Sequence, residues 1–162
     1  MVKKNETRVA ATVIGMLGHC TEAEDIGQET FIRFYKSMNK FRGESSISTY
    51  LTRIAINLSL NEIKRRQRRR KYLSTASEDG LDNIPEITTS KNKKETQEIV
   101  NLAIQKLKPK FRSVLVLRLI LGYTTQETAK LMKLPVGTVL SRLTRAQMKL
   151  KDILTPSYEG LK

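Results

Sequence analysis

Apolar residues recur at spacings of three and four in several segments of the chain, which is the pattern of amphipathic α-helices. The clearest segment covers residues 46 to about 70, contains no Pro or Gly, and carries its apolar stripe at Ile47, Tyr50, Leu51, Ile54, Ala55 and Leu58. A weaker stripe from Ile26 to Met38 follows Thr21, a favoured N-cap residue type. Residues 39–45 lie between these helices and are predicted to form a loop, because Gly43 interrupts helical structure there.

The second half of the chain also predicts helices. Residues 96–107 form one, and Pro109 suits the first turn of the next, which stops at Gly122. Thr124 and Glu127 have the spacing of a capping box, which starts a short helix that ends near Met132. A last helix covers residues 136 to about 154. No segment shows the alternation of a strand, so we predict an all-α fold.

The last helix has two different faces. Its apolar positions are Val136, Val139, Leu143, Ala146, Leu150 and Leu154, and its polar positions are Thr138, Ser141, Arg142, Arg145 and Lys149. A short capped helix, a turn and such a two-faced helix form a helix-turn-helix pattern, whose second helix can enter the major groove of DNA. The alternative interpretation is a solvated basic face on an ordinary bundle helix.

The formal net charge of +14 on 162 residues is divided between the two ends of the chain. Residues 1–73 carry a net +8 (15 basic, 7 acidic), residues 74–95 a net −2 (3 basic, 5 acidic) and residues 96–162 a net +8 (12 basic, 4 acidic). We predict two small basic helical domains, 1–73 and 96–155, joined by a flexible linker at 74–95 and followed by a tail at 156–162. Such charge indicates a polyanionic partner, with nucleic acid favoured over an anionic membrane surface or a merely soluble basic protein.

Several classes of protein are excluded or disfavoured. The apolar runs are too short for a membrane span, and one cysteine fits a reducing compartment. Residues 9–17 follow three basic residues and faintly resemble an export signal, but Glu6, Thr12, Gly15 and His19 argue against it, so we expect a cytoplasmic protein. One histidine and one cysteine cannot form a zinc site, and no phosphate-binding glycine loop occurs. We expect no enzyme activity, metal, cofactor or small-molecule substrate.

A dense basic run ends the long helix, at Lys64, Arg65, Arg66, Arg68, Arg69, Arg70 and Lys71. Asn57 and Asn61 precede this run on the same helix, and Phe41 and Arg42 lie in the loop before it. Cations beside an aromatic loop can hold single-stranded nucleic acid, with phosphates on the cations and bases against apolar surfaces. A solvated helix end and a core position for Phe41 are the alternatives.

The sequence resembles a known family at four motifs. Residues 23–31 (AEDIGQETF), 41–46 (FRGESS) and 49–57 (TYLTRIAIN) are similar to region 2 of bacterial sigma factors of the extracytoplasmic-function type. Residues 135–143 (PVGTVLSRL) resemble the recognition helix of their region 4. The resemblance implies a transcription initiation factor that binds core RNA polymerase and promoter DNA and is held by an anti-sigma protein.

The resemblance also implies roles for individual residues. Asp25, Gln28 and Glu29 would meet the polymerase, and Phe41 and Asn57 would help form a pocket for a flipped base of the −10 element. Arg42, Gly43, Glu44 and Ser45 would set −10 specificity, and Ser141, Arg142 and Arg145 would face the −35 duplex. We expect further contacts with the −10 element from the long helix, at Asn61, Lys64, Arg65 and Arg68. We expect further contacts with the −35 duplex at Thr138 and Lys149.

The sequence departs from the family pattern at three positions. Gly27 stands inside a helix where the family usually has a larger residue, Tyr50 replaces the family's usual Trp, and Leu140 occupies a recognition-helix position that is commonly Lys or Arg. Three other functions remain open from the residues alone. They are a stand-alone helix-turn-helix regulator, an architectural protein without sequence preference, and a metal-dependent nuclease that uses the acidic cluster Glu22, Glu24, Asp25 and Glu29.

Overall fold

A computed structural model describes residues 2–76 and 93–159, and these residues form helices and no strand. The helices are α1 (Val2–Leu17), α2 (Thr21–Ser37), α3 (Ile47–Ala76), α4 (Lys93–Gln105), α5 (Pro109–Leu115), α6 (Thr125–Met132) and α7 (Val136–Glu159). A 3₁₀ turn, Met38–Lys40, follows α2, and a π-helical turn, Val116–Ile120, extends α5. The all-α prediction is confirmed.

Three helices are longer in the structure than the sequence predicted. Helix α3 continues six residues past Arg70, α4 begins three residues before residue 96, and α7 continues past Leu154 into the predicted tail. Most of the predicted linker, residues 77–92, lies outside the described residues.

Helix α1 was not predicted, since the apolar residues 9–17 were interpreted as a faint resemblance to an export signal. In the structure Val9, Val13 and Met16 are at most 3% exposed and form the centre of the core. Thr12 is also buried, and its hydroxyl donates to the carbonyl of Arg8 at 2.7 Å. Val9, Val13, Met16 and Leu17 recur at helical spacing, so α1 carries an apolar stripe, which packs against α2, α3 and the second half of the chain.

The start of α2 differs from the prediction by one residue. Cys20, with extended backbone, occupies the N-cap position and provides no side-chain cap, while Thr21 is already the first helical residue. Glu22 and Glu24 lie in the first turn, where negative charge interacts favourably with the helix dipole.

The helix-turn-helix has the predicted local structure. The Glu127 amide donates to the Thr124 hydroxyl at 3.1 Å, and the Thr124 amide donates to the Glu127 carboxylate at 2.7 Å, which confirms the capping box. Gly122 ends the preceding helix with φ of 73°, and Lys133 takes a left-handed conformation in the turn before α7. Val139 of α7 packs on Ala129 of α6 and Val114 of α5, which fixes the second helix relative to the first.

The two halves of the chain pack against each other through α1. Val116, Leu117, Tyr123 and Leu131 share one core with the apolar residues of α1, α2 and α3. Polar contacts add to this interface: Arg8 donates to the Leu121 carbonyl at 3.1 Å, and the Tyr123 hydroxyl donates to that of Thr52 at 3.1 Å. This packing brings α6 next to the loop between α2 and α3.

Candidate nucleic-acid interface

The loop between α2 and α3 is anchored by an aromatic cluster. The ring of Phe41 lies edge-on to the rings of Phe34 and Tyr50, with centroids 6.3 and 5.2 Å away. Phe41 is therefore half-buried and performs a packing role whether or not it also contacts a base. Gly43 has φ of 71°, a conformation that other residues rarely adopt, and it turns the chain outward. Arg42, Gly43, Glu44 and Ser45 are all exposed.

An exposed polar stripe runs along α3 from this loop. Arg53, Asn57, Asn61, Lys64 and Arg68 are all exposed and recur at spacings of three and four, so they share one face of the helix. Arg53 was missed by the sequence analysis, although its position four residues before Asn57 places it on that face. Its guanidinium lies over the Tyr50 ring, 5.1 Å from the centroid. The stripe thus connects the aromatic cluster with the basic end of α3.

The basic run at the end of α3 contains two different kinds of arginine. Arg65 donates to the buried carboxylate of Glu62 at 2.8 Å, and Arg66 donates to the same carboxylate at 3.2 Å. Arg66 also lies 3.4 Å from Glu22 and donates to the thiol of Cys20, so it ties α3 to the start of α2. The hydrogen bonds from Arg65 hold the pKa of Glu62 below its usual value despite burial. Arg65, a predicted −10 contact, is more than half exposed but is partly neutralised by Glu62.

A cleft of about 560 Å³ separates the loop from the helix-turn-helix. On one side lie Phe41, Arg42 and Arg53, and on the other Glu127 and Lys130 of α6. The sequence did not predict this cleft, because it joins residues that are more than 70 positions apart.

The polar face of α7 is exposed as predicted. Ser141, Arg145 and Lys149 are exposed, whereas Thr138 and Arg142 are partly buried at the border with the core. Val139 and Ala146 are fully buried on the opposite side. Leu140 of the same helix is 50% exposed and belongs to no core cluster among the described residues.

The predicted polymerase-binding residues lie on the outer side of α2. Asp25 and Gln28 are exposed, and Glu29 is partly exposed and accepts a hydrogen bond of 2.7 Å from Arg33. Gln28 and Gly27 also line an apolar groove of about 600 Å³ between α1 and α2. A side chain at Gly27 would meet nothing within 4 Å, so the small residue leaves this groove open.

The structure gives the nuclease alternative no metal site. In the part of the chain that is described, no three His, Cys, Asp or Glu side chains come close enough together to hold an ion. Glu22 and Glu29 instead pair with Arg66 and Arg33. Likewise, no helix over residues 2–76 and 93–159 is long and apolar enough to cross a membrane.

Comparison with known proteins agrees with both halves of this arrangement. The family model described as Sigma-70 region 2 matches residues 1–69, and that described as Sigma-70, region 4 matches residues 97–150. The RNA polymerase sigma-H factor of Pseudomonas aeruginosa is 32% identical over 96% of this chain and 85% of its own length. The ECF RNA polymerase sigma factor SigW of Bacillus subtilis is 34% identical over 86% of this chain and 79% of its own.

Solved structures share the fold at lower sequence identity. The sigma factor RpoE of Bartonella quintana, in complex with the anti-sigma factor NepR, superposes with a TM-score of 0.74 at 19% identity, over 95% of this chain and 94% of that one. CnrH in complex with the cytosolic domain of CnrY superposes with a TM-score of 0.68 at 21% identity, over 96% of this chain and 85% of that one.

These matches define a class of transcription initiation factors, which are not enzymes. The chain belongs to the extracytoplasmic-function sigma factors of the sigma-70 family. The family resemblance of the sequence is thereby confirmed, while the roles of individual site residues stay predictions.

Proposed function

We propose that this protein binds core RNA polymerase in the cytoplasm and directs it to promoters by two separate DNA contacts. The observation that carries the proposal is the pair of exposed, basic polar faces on α3 and α7, each in a part of the chain matched by a different sigma-70 region. The division into a region 2-like domain (1–73), a connecting segment (74–95) and a region 4-like domain (96–155) is part of the proposal.

The −35 contact is assigned to α7. As the second helix of a helix-turn-helix it enters the major groove, and Arg145, Ser141 and Arg142 meet base edges and backbone there. Thr138 and Lys149 flank them. The exposure of Arg145 on the side of α7 opposite Val139 and Ala146 supports this orientation.

The −10 contact is assigned to the loop at residues 41–46 and the polar stripe of α3. The side chains of Lys64, Arg65 and Arg68 neutralise DNA phosphates, and Asn61 contacts the same DNA strand. An unpaired base of that strand is captured beside Phe41 and Asn57. Capture must offset a cost of a few kcal/mol for each unstacked step. The rigid aromatic support under Phe41 favours this role, because the ring is already held in place before DNA binds.

Regulation by a protein of the anti-sigma class is proposed from the same geometry. The −10 loop faces α6 across the cleft, so simultaneous engagement of two promoter elements separates these surfaces. A partner that stabilises the closed packing keeps the polymerase from reaching both elements. Two structural relatives were solved with anti-sigma proteins bound, RpoE with NepR and CnrH with CnrY.

The two DNA contacts can be tested separately on a promoter selected from a random duplex library with holoenzyme. Arg145→Ala is expected to weaken binding by about 1–3 kcal/mol on the selected −35 sequence and by less on scrambled duplex. Asn57→Ala is expected to leave closed-complex affinity unchanged and to reduce the permanganate reactivity of thymines in the −10 element. Exposed Lys36→Ala and Asn39→Ala are the matched controls.

Two results would overturn these assignments. An equal loss for Arg145→Ala on scrambled duplex would make it a phosphate contact only, and normal opening by Asn57→Ala would remove Asn57 from the pocket. Tight, selective duplex binding that does not require polymerase would indicate the stand-alone regulator instead.

A further inference from the structure

The recognition helix α7 exposes apolar side chains on its outer surface. Leu140 is 50% exposed and Val136, one turn earlier, is 44% exposed. Gly137 lies between them, and a side chain there would meet no atom within 4 Å. A binding partner that approaches this part of α7 can therefore contact both side chains without steric hindrance.

The charge around this apolar patch indicates what kind of surface it meets. Residues 128–151 carry six basic side chains and no acidic one. Five of these are exposed, namely Lys130, Lys133, Arg145, Lys149 and Lys151, and Arg142 is partly buried. A patch of two apolar residues inside such a basic field fits a polyanion that offers a small apolar feature, rather than the extended apolar face of a protein helix.

The neighbouring hydroxyl groups have their hydrogens engaged within the helix. Ser141 donates to the Thr138 carbonyl at 3.1 Å, and Thr144 donates to the Leu140 carbonyl at 3.1 Å. Next to Leu140, α7 thus presents apolar surface and hydroxyl acceptors instead of free hydroxyl donors. This reduces readout by hydrogen bonding at this point of the helix and leaves room for readout by apolar contact.

In the major groove the apolar feature of a base edge is the C5-methyl group of thymine. We propose that Leu140, assisted by Val136, is a specificity-determining residue that contacts a thymine methyl in the −35 duplex. The inference rests on the proposed −35 contact of α7. Such a contact selects a T·A pair by the shape of its base edge, without a charged side chain at this position.

The experiment removes the methyl group without changing any hydrogen bond. A −35 duplex is selected with holoenzyme formed from the full chain and core RNA polymerase, and each thymine in turn is replaced by deoxyuridine. Burial of one methyl group corresponds to about a fourfold change in affinity, so wild-type holoenzyme is expected to lose about that factor at one or two thymines. Leu140→Ala is expected to bind thymine and deoxyuridine duplexes equally at those positions.

Met148→Ala is the matched control, because Met148 is 62% exposed on the same helix two turns further along. It should keep the fourfold preference for thymine. The inference is overturned if wild-type and Leu140→Ala show the same deoxyuridine penalties, or if no thymine is sensitive while selection for the −35 sequence persists. Loss of all sequence selection in the wild-type holoenzyme would instead overturn the proposed −35 contact, and this inference with it.

Discussion

Arg112 of α5 donates a hydrogen bond of 2.7 Å to the main-chain carbonyl of Met16 in α1. The same guanidinium donates to the carbonyls of Gln105 and Leu107, which end α4 and the turn after it. Burial lowers the pKa of Arg112 to about 10, so it remains charged at neutral pH. One buried cation thus caps carbonyl groups from both halves of the chain and connects them.

Replacement of this arginine is expected to destabilise the whole fold. Arg112→Ala leaves several buried carbonyls without a donor and creates a cavity, and we expect a loss of about 3 kcal/mol in the free energy of unfolding. Urea denaturation followed by far-ultraviolet circular dichroism measures the effect. The exposed Arg145→Ala should stay within about 0.5 kcal/mol of wild type. An equally small effect of Arg112→Ala would show that the contact between α1 and α5 adds little stability.

Two helical glycines should respond oppositely to the same substitution. A Cβ at Gly15 would lie 3.0 Å from a methyl of Val116, a short buried side chain that cannot move aside easily. Gly15→Ala is therefore expected to lower stability by about 1 kcal/mol or more. At Gly27 a Cβ meets nothing, and Gly27→Ala is expected to raise stability by about 0.5–1 kcal/mol, because alanine restricts the unfolded chain.

Thermal unfolding of the two alanine variants beside wild type tests this pair. A stabilising Gly15→Ala would mean that α1 and the π-helical turn are less closely packed than the structure indicates. A destabilising Gly27→Ala would mean that the groove between α1 and α2 has no room for a methyl group.

The contrast between α1 and α7 shows what could be predicted from the sequence. Helix α7 has one buried face, so periodicity alone distinguishes buried Val139 and Ala146 from exposed Arg145. The capping box before α6 depends only on residues four positions apart or fewer, so it is a local signal as well. Helix α1 buries Thr12 and Gly15 as well as apolar residues, because it is covered from several sides. Val9, Val13, Met16 and Leu17 nevertheless recur at helical spacing, so α1 was predictable from its periodicity, and interpretation of the segment as an apolar run was wrong.

The parts of the nucleic-acid interface that could be predicted are those whose residues lie close together in the sequence. The motif around Phe41 and the polar stripe through Asn57 follow from local spacing. The cleft between Arg42 and Lys130 and the contact between Arg112 and Met16 depend on how two distant segments pack, which no periodicity encodes. The ion pair between Arg65 and Glu62 was not predicted either, because Glu62 precedes the dense basic run and spacing alone does not show which arginines it binds.

The buried carboxylate of Glu62 predicts a pH-dependent contribution to stability. Because hydrogen bonds from Arg65 lower its pKa in the folded state, its stabilising effect is fully present above the unfolded-state pKa of about 4.3 and is lost as the pH falls through the lower folded-state value. We expect Glu62→Gln to cost about 1–3 kcal/mol at pH 7 and much less near pH 3.

Measurement of unfolding free energies for wild type and Glu62→Gln from pH 3 to pH 7 tests this expectation. Glu29→Gln is the matched control, since its pair with Arg33 is exposed and should contribute little at any pH. A difference between wild type and Glu62→Gln that does not change with pH would contradict the assigned role of the Glu62 charge.

Co-elution with purified bacterial core RNA polymerase on a sizing column at moderate salt tests whether the chain binds the polymerase and whether it does so through α2. The wild-type chain and a control with exposed Gln67→Ala and Glu98→Ala substitutions should co-elute stoichiometrically, whereas the Gln28→Ala, Glu29→Ala double variant should not. Co-elution of all three would keep the sigma-factor function and place the polymerase interface elsewhere. Failure of the wild type to co-elute, together with tight binding to duplex DNA alone, would rule out the proposed binding of core RNA polymerase.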